Sequence, residues 1–353
     1  MKNKSVIVAP LDWGLGHATR CVPVIRELVR RGCSVSIATS GRALALLRSE
    51  FPSLQFFELP SYRVKYSIRL PFMANVLRQL PKFLKAIRDE RLAIRKIVED
   101  NNIDIIISDN RYGCRSEKIP SIFICHQIHI IMPLWLKWLQ PIVNYFNHRW
   151  IKKFNSNWIP DFKEEGLAGR LSHPGLSNSR YVGVLSRFNP EKKSGAGFEL
   201  AVILSGPEPQ RTTLENLVID QLRHLTVKTI IVRGLPDATT LPALPNIAIV
   251  NHLSSEKLQS VIANSSVILA RSGYSTIMDL SCFGKSAIFI PTPGQTEQEY
   301  LGRVLMEKGI AFCQKQEQFN LGRALVEVQS YKGLACEGGH NKMLADAIQE
   351  LLR

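Results

Sequence analysis

Residues 269–300 read LARSGYSTIMDLSCFGKSAIFIPTPGQTEQEY, and the fold is decided by this stretch. The apolar run 267–270 stops at Arg271-Ser272-Gly273, and residues 274–283 have helical spacing. After Gly284-Lys285, residues 286–290 are apolar and strand-like. Pro291-Thr292-Pro293-Gly294 then leads into Gln295-Thr296-Glu297-Gln298-Glu299, a polar turn that opens another helix. A strand, a small-residue turn, a helix and a second strand make one unit of a parallel sheet. Arg, Ser and Gly where a strand meets a helix N-terminus suit an anion. Acids and a Gln one connection later suit the hydroxyls of a sugar, so the pair points to a sugar nucleotide.

The same alternation extends in both directions. Upstream, strands are expected at residues 5–9, 35–39, 54–59, 103–108 and 121–125, with helices at 18–31 and within 72–100. Residues 183–198, GVLSRFNPEKKSGAGF, break the pattern as a linker. Strands at 199–204, 229–232 and 247–250 and helices at 212–224, 256–264 and 341–352 resume it. The fold class is α/β: two doubly wound, Rossmann-like parallel-sheet domains facing a cleft. The expected division is an N-terminal domain 1–183, a linker 184–198, a C-terminal domain 199–338 and a terminal helix 339–353. Ligands of such sheets sit beyond the carboxyl ends of the strands.

Composition narrows the partners. The chain has 353 residues, 45% hydrophobic and 21% charged, with a net charge of +15. Residues 1–180 hold 28 Lys and Arg against 14 Asp and Glu, while residues 181–353 hold 17 against 16. The basic excess therefore belongs to the first half, which is expected to meet something anionic. The seven cysteines are scattered without CxxC spacing, as reduced thiols of a cytosolic protein would be. Residues 1–14 read as a first strand rather than a signal peptide, and no run reaches the ~18 apolar residues of a spanning helix.

Four loops are able to carry chemistry. Asp12-Trp13-Gly14-Leu15-Gly16-His17-Ala18-Thr19-Arg20 lacks the third Gly of a dinucleotide fingerprint, where Thr19 stands, and the second strand ends in Thr39-Ser40-Gly41-Arg42 rather than an acid. Gly14 and Gly16 still allow close backbone approach. His17 is either a base near neutral pH or a helix-capping histidine. Ser205-Gly206-Pro207-Glu208-Pro209 is a stiff turn suited to phosphate or an ordinary strand–helix connection. Arg271 to Thr276, with Ser275 among its hydroxyls, and Asp279 one turn into the following helix form the third. Gln295–Glu299 is the fourth. Strands ending at Asp109-Asn110 and His126-Gln127 put two further titratable groups at sheet edges. No DxD motif or metal-spaced His/Cys/carboxylate cluster appears.

In these residues the chain resembles the MurG-like branch of GT-B glycosyltransferases, family 28, which transfer N-acetylglucosamine from its UDP-sugar to a lipid-linked acceptor. Gly14-Leu15-Gly16-His17 resembles the family's first glycine-rich loop. Residues 183–187 resemble the segment whose Arg meets the diphosphate, which implies Arg187. Ser205-Gly206 stands at the second phosphate loop, with Pro-Glu-Pro a departure. Arg271-Ser272-Gly273 followed by Asp279 resembles R-S-G…E, whose acid holds the ribose. Gln298-Glu299-Tyr300 resembles the Gln-Gln-Tyr that reads the donor sugar, but Glu299 cannot donate a hydrogen bond as the amide does.

The resemblance implies a metal-independent transferase with no cofactor and a UDP-sugar as donor substrate. It places Arg187, Ser205, Gly206, Arg271, Ser272, Gly273, Ser275, Thr276, Asp279, Gln298 and Glu299 at the donor. It places Gly14, Gly16, Asp109 and His126 at the acceptor, with His17 as the base of an inverting displacement or as a contact to acceptor phosphate. A cytoplasmic enzyme on the cytoplasmic face of the inner membrane, making cell-envelope glycan, is implied.

Residues 61–88 carry seven Lys and Arg and no acid among aromatics and leucines, and 118–160 carry five with Trp135, Trp138, Tyr145, Phe146, Trp150 and Trp158. Such segments, 61–88 and 130–154 in particular, suit the headgroups of an anionic membrane, or are core helices with solvated charges. Two other functions compete. A UDP-sugar epimerase or hydrolase on the same fold would use Glu299 and Asp109. A non-enzymatic nucleic-acid binder would exploit the pI of about 9.6, but no RNA-binding signature supports it, and no nucleic-acid partner is expected.

Overall fold

The computed structural model describes residues 3–62, 78–164, 166–188, 197–235, 238–239, 247–335 and 340–353. The chain divides into two compact units, residues 1–187 with 338–353, and residues 188–337.

The first unit is built on a seven-stranded, wholly parallel sheet. Its strands are β1 (Ser5–Pro10), β2 (Ser34–Thr39), β3 (Gln55–Glu58), β4 (Ile105–Asp109), β5 (Ser121–Ile124), β6 (Ser156–Ile159) and β7 (Ser179–Tyr181). They lie in the order β3-β2-β1-β4-β5-β6-β7, with Val6 opposite both Val35 and Ile105. The chain winds outward from β1 through β2 to β3, then returns to the other side of β1 as β4. The topological switch point is therefore the β1/β4 edge, where loops on opposite sides of the sheet part and leave room for a ligand. Val6, Ile7, Val8 and Ala9 are wholly buried, which is why they form a continuous apolar run rather than an alternating one.

Helix α1 (Leu15–Arg30) follows β1 and buries Ala18, Cys21, Val22, Ile25 and Leu28, a helical stripe that covers the sheet. Gly32, at a φ of 79°, ends it. The helix Leu80–Asn101 ends on Asn102 in the left-handed region, as the Asn101-Asn102 pair suggests. The C-terminal helix His340–Leu351 belongs to this unit: Ala345 O accepts from Arg31 Nη2 at 2.9 Å, and Glu350 pairs with Arg180 at 2.5 Å. Sequence reading treats residues 339–353 as a separate helix after the second domain, and only tertiary contacts return it to the first.

The second unit holds a six-stranded parallel sheet, order β10-β9-β8-β11-β12-β13. Its strands are β8 (Phe198–Ile203), β9 (Thr229–Val232), β10 (Ile247–Val250), β11 (Ser265–Ala270), β12 (Ser286–Phe289) and β13 (Phe312–Cys313). Here the switch point is the β8/β11 edge, with Leu200 opposite Val267. Buried Leu200, Val202, Leu214, Val218, Ile231, Leu269 and Ile288 form its core.

Two corrections concern the expected linker and strands. Val184, Leu185 and Phe188 are at most 3% exposed, so the segment 184–188 is packed structure rather than linker. β7 and β13 have three and two residues, too short to leave a pattern in the sequence, and β6, Ser-Asn-Trp-Ile, lacks the apolar run that marks the other strands. Residues 63–77 of the first basic–aromatic segment lie outside the described residues.

Candidate functional site

In the first unit the loop after β1 meets the end of β4, the two elements that flank its switch point. Gly14 has a φ of 90°, a conformation an L side chain rarely adopts, and it lets the chain turn into α1 without a side-chain cap. His17 sits in the first turn. Its Nδ1 lies 2.6 Å from Asp109 Oδ1. Arg20, one turn further along α1, donates from Nη2 to the same oxygen at 2.6 Å and from Nε to Oδ2. Its Nη1 is 3.1 Å from His126 Nδ1, at the end of β5. Asp109 is fully buried and Arg20 is 2% exposed. Burial alone would push the Asp109 carboxyl up, but the Arg20 charge and the hydrogen bonds from His17 and Arg20 outweigh it and hold it at about 2. His17 is shifted below its ordinary 6.5, first by burial and then by the Arg20 charge, against the opposing pull of Asp109. It is therefore neutral at pH 7.

An ionised carboxylate only accepts, so His17 carries its proton on Nδ1 and presents a lone pair on Nε2. Nε2 makes no hydrogen bond among the described residues, and the side chain is 18% exposed. A neutral imidazole held by a buried carboxylate, with its other nitrogen unprotonated, has the chemistry to accept a proton at Nε2. Asp109 is corrected accordingly: with both oxygens taken from inside the fold, it orients His17 rather than meeting a ligand.

A second buried group shapes this loop. Arg111 donates to Pro10 O at 2.8 Å, to Pro60 O at 3.1 Å, to Ser40 Oγ at 3.1 Å and to Glu90 Oε1 at 2.7 Å. Asp12 lies 3.4 Å from it and accepts from Ser40 and Ser61. One guanidinium thereby ties the ends of β1, β2 and β3 together. Burial pushes the Glu90 carboxyl up despite this pairing. Arg20 closes the first loop singled out in the sequence but has no role there, and Arg111 escapes a reading of the sequence altogether. The i, i+3 spacing of His17 and Arg20 is the one local signal, since it puts both on one helix face.

In the second unit the loops after β8, β11 and β12 carry the donor candidates. Ser205 and Gly206 are exposed, and Gly206 has a φ of 106°. A Cβ there would stand 3.8 Å from Thr292 Oγ1, which places the β8 and β12 loops side by side. Gly273 caps the helix Tyr274–Ser281 with open space before it, and that helix has no acid in its first turn. Ser275, Thr276 and Asp279 are half-buried on it.

Three expectations change here. Arg271 is 1% exposed, and all four of its Nη hydrogens are used: Nη1 on Ile290 O and Pro291 O at 3.1 Å each, Nη2 on Gln210 O and Gln316 Oε1 at 2.7 Å each. Burial lowers it to about 10. It clamps three loops from inside and has no Nη hydrogen left for a diphosphate. Ser272 is buried and donates to Gln298 O at 2.8 Å. Gln298 Oε1 accepts from Thr292 N at 2.8 Å and its Nε2 donates to Gln295 Oε1 at 2.6 Å, while Glu299 accepts from Gly294 N at 2.9 Å. These two side chains build the turn before the helix Thr296–Glu307, and exposed Glu299 keeps only its remaining lone pairs for a sugar.

Arg187 belongs to the first unit, half-buried, with its carbonyl accepting from Arg26 Nη1 at 2.9 Å. Lys285 is buried and donates to Ala263 O and Ser265 O at 2.7 Å each, closing the end of the helix Ser255–Asn264. Among the described residues no three His, Cys, Asp or Glu side chains form a metal-binding group.

Residues 223–342 match the glycosyltransferase family 28 C-terminal domain, and residues 11–131 match glycosyl transferase family 1. Over 126 residues the chain is 21% identical to the UDP-N-acetylglucosamine–N-acetylmuramyl-(pentapeptide) pyrophosphoryl-undecaprenol N-acetylglucosamine transferase of Sulfurihydrogenibium sp. (strain YO3AOP1). That alignment spans 36% of this chain and 35% of the relative. It is 22% identical over 320 residues to an uncharacterized glycosyltransferase of Methanosarcina acetivorans, covering 84% and 82% of the two chains. Among solved structures, the glycotransferase of kitacinnamycin superposes over 100% of both chains with a TM-score of 0.67 at 18% identity. Acinetobacter baumannii MurG gives 0.57 at 13% identity over 98% and 99% of the two chains. The fold is GT-B.

Proposed function

For a chain that is a glycosyltransferase of the GT-B, family 28 type, we propose transfer of a sugar from a UDP-sugar to a hydroxyl of an amphiphilic, lipid-linked acceptor, with inversion, in cell-envelope glycan synthesis. The observation that carries it is the His17–Asp109 pair, a neutral imidazole with a lone pair at Nε2 in the first turn of α1. In this reading His17 takes the acceptor proton as the hydroxyl displaces UDP, and Asp109 stabilises the imidazolium that forms. The donor's diphosphate is met by Ser205, Gly206, Gly273 and the amides at the start of the helix Tyr274–Ser281, without a metal. Ser275, Thr276 and Asp279 lie along that helix for the nucleoside, and Arg187 is proposed for the diphosphate. Gln298 and Glu299 set the sugar pocket through the turn they hold.

The surface of the first unit supports an amphiphilic acceptor at a membrane. Leu134 is 88% exposed and Trp138 71%, and Trp135, Ile142, Tyr145 and Phe146 are exposed beside them, next to Lys137, Arg149, Lys152 and Lys153. A groove of about 270 Å³ has an apolar floor that includes Leu84, Ile87 and Trp150 and a cationic rim of Arg88, Arg91, Arg115 and Lys153. Apolar and basic groups so interleaved fit an anionic membrane surface. No helix among the described residues is long and apolar enough to cross a membrane; the proposed association is peripheral.

The rival hydrolase reading needs carboxylates at the sugar, and the structure spends Asp109 on Arg20 and His17. Incubation with a panel of UDP-sugars and a polyprenyl-linked saccharide, with mass analysis of products, tests the proposal. Glycosyl transfer supports it; release of free sugar alone, with or without acceptor, refutes it.

A further inference from the structure

The Arg20 guanidinium stands between two histidines, and the proton positions of both follow from its chemistry. A guanidinium has five N–H donors and no acceptor. Facing Arg20 Nη1 at 3.1 Å, His126 Nδ1 must therefore offer a lone pair, which puts the His126 proton on Nε2. His17 Nδ1 is also near the guanidinium, 2.9 Å from Nη2, but it lies closer, 2.6 Å, to an oxygen of Asp109. A lone pair at that nitrogen would point at the lone pairs of an ionised carboxylate. The proton therefore stays on His17 Nδ1, and Nη2 directs its hydrogen to Asp109 Oδ1 at 2.6 Å.

We infer that Arg20 is a positioning residue that holds two histidines in opposite tautomers, His17 with a lone pair at Nε2 and His126 with a proton there. The two side chains come from different elements, the first turn of α1 and the carboxyl end of β5, and the Arg20–Asp109 ion pair bridges them. The nearer group decides His17 Nδ1, Asp109 Oδ1 at 2.6 Å, and the Arg20 guanidinium decides His126 Nδ1. The two histidines are not interchangeable: His17 accepts a proton or a hydrogen bond, while His126 gives a hydrogen bond to oxygen. The kinetic consequence rests on the reading of His17 as base, but the tautomers themselves do not.

The full chain labelled with ¹⁵N-histidine is read by long-range ¹H–¹⁵N correlation at pH 7.5, with signals assigned by His17→Gln and His126→Gln. The expected result is a pyrrole-type Nδ1 and pyridine-type Nε2 for His17, and the reverse for His126. Arg20→Met is expected to move the His126 signals toward a mixture of tautomers, and Arg20→Lys, with one compact charge, to restore the pattern only in part. The same tautomer at both histidines of the unmodified chain overturns the inference, even if Arg20→Met does not fold. So does an Arg20→Met spectrum with both patterns unchanged. Absence of sugar transfer from every UDP-sugar would remove the proposed function while leaving these signals as predicted, so the two failures are distinguishable.

Discussion

Replacing Asp109 with Asn tests the centre of this site. The side chain keeps its shape but loses its charge, and Arg20, 2% exposed, is left as a buried cation without its counter-ion. Breaking a buried pair from one side costs about 3–5 kcal/mol. An independent route gives a smaller figure. A carboxyl held at about 2 instead of 3.8 contributes on the order of 2 kcal/mol to folding. Because this value is depressed in the folded state, that contribution is present above pH 3.8 and is lost as pH falls toward 2. The expected loss on substitution is therefore about 2–5 kcal/mol. Trp13, Trp135, Trp138, Trp150 and Trp158 are all in the first unit, so tryptophan fluorescence in a urea titration reports that unit alone. With a slope of about 3 kcal/mol per molar urea, the midpoint falls by about 1 M.

Activity falls as well. The Asn amide nitrogen donates where the carboxylate accepted, which draws His17 to the tautomer with its proton on Nε2 and lowers kcat by about 10²–10⁴. In the double variant Asp109→Asn, Arg20→Met both charges are gone, and its stability loss is expected to be smaller than the sum of the single losses. Strict additivity, or a single-variant loss below about 1 kcal/mol, would refute the picture of a dry, mutually dependent ion pair.

Three further outcomes are expected. His17→Gln lowers kcat by about 10²–10⁴ and changes UDP affinity less than twofold, and the acidic limb of the wild-type pH–rate profile lies below 6.5, because burial and Arg20 disfavour the protonated imidazole; a limb above 6.5 would contradict this. Lys285→Met strands the carbonyls of Ala263 and Ser265 and lowers the stability of the second unit by about 1–3 kcal/mol, read from circular dichroism during urea unfolding. Flotation with phosphatidylglycerol vesicles is strong at low salt, weak at about 0.5 M salt, and lost in Trp135→Glu, Trp138→Glu; equal binding to phosphatidylcholine would remove the charge component.

Much of the architecture is legible in the chain because its signals are local. Apolar runs such as residues 5–9 and 267–270 end in Gly- and Ser-containing turns, and each is followed by a helical stripe. A parallel sheet with crossovers is the arrangement that buries such strands on both faces. The loops at Gly14–His17, Ser205-Gly206 and Arg271-Ser272-Gly273 stand out for the same reason, since small residues where a strand meets a helix are visible in any short window.

The sequence by itself therefore determined the two α/β units and the loops at their strand ends, and it picked out His17 as a candidate. What each polar side chain does was decided by tertiary structure. Arg271 and Asp109 both read as ligand-binding groups. One proves to clamp backbone carbonyls and the other to hold a histidine, because a buried charge must spend its hydrogen bonds on whatever the fold brings near it. Those partners are distant in the chain: Asp109 lies 92 residues from His17, and His126 lies 106 from Arg20. No local pattern encodes such meetings. They arise at the switch point, where the connections after paired β1 and β4 diverge and His17, Arg20 and Asp109 come to one place.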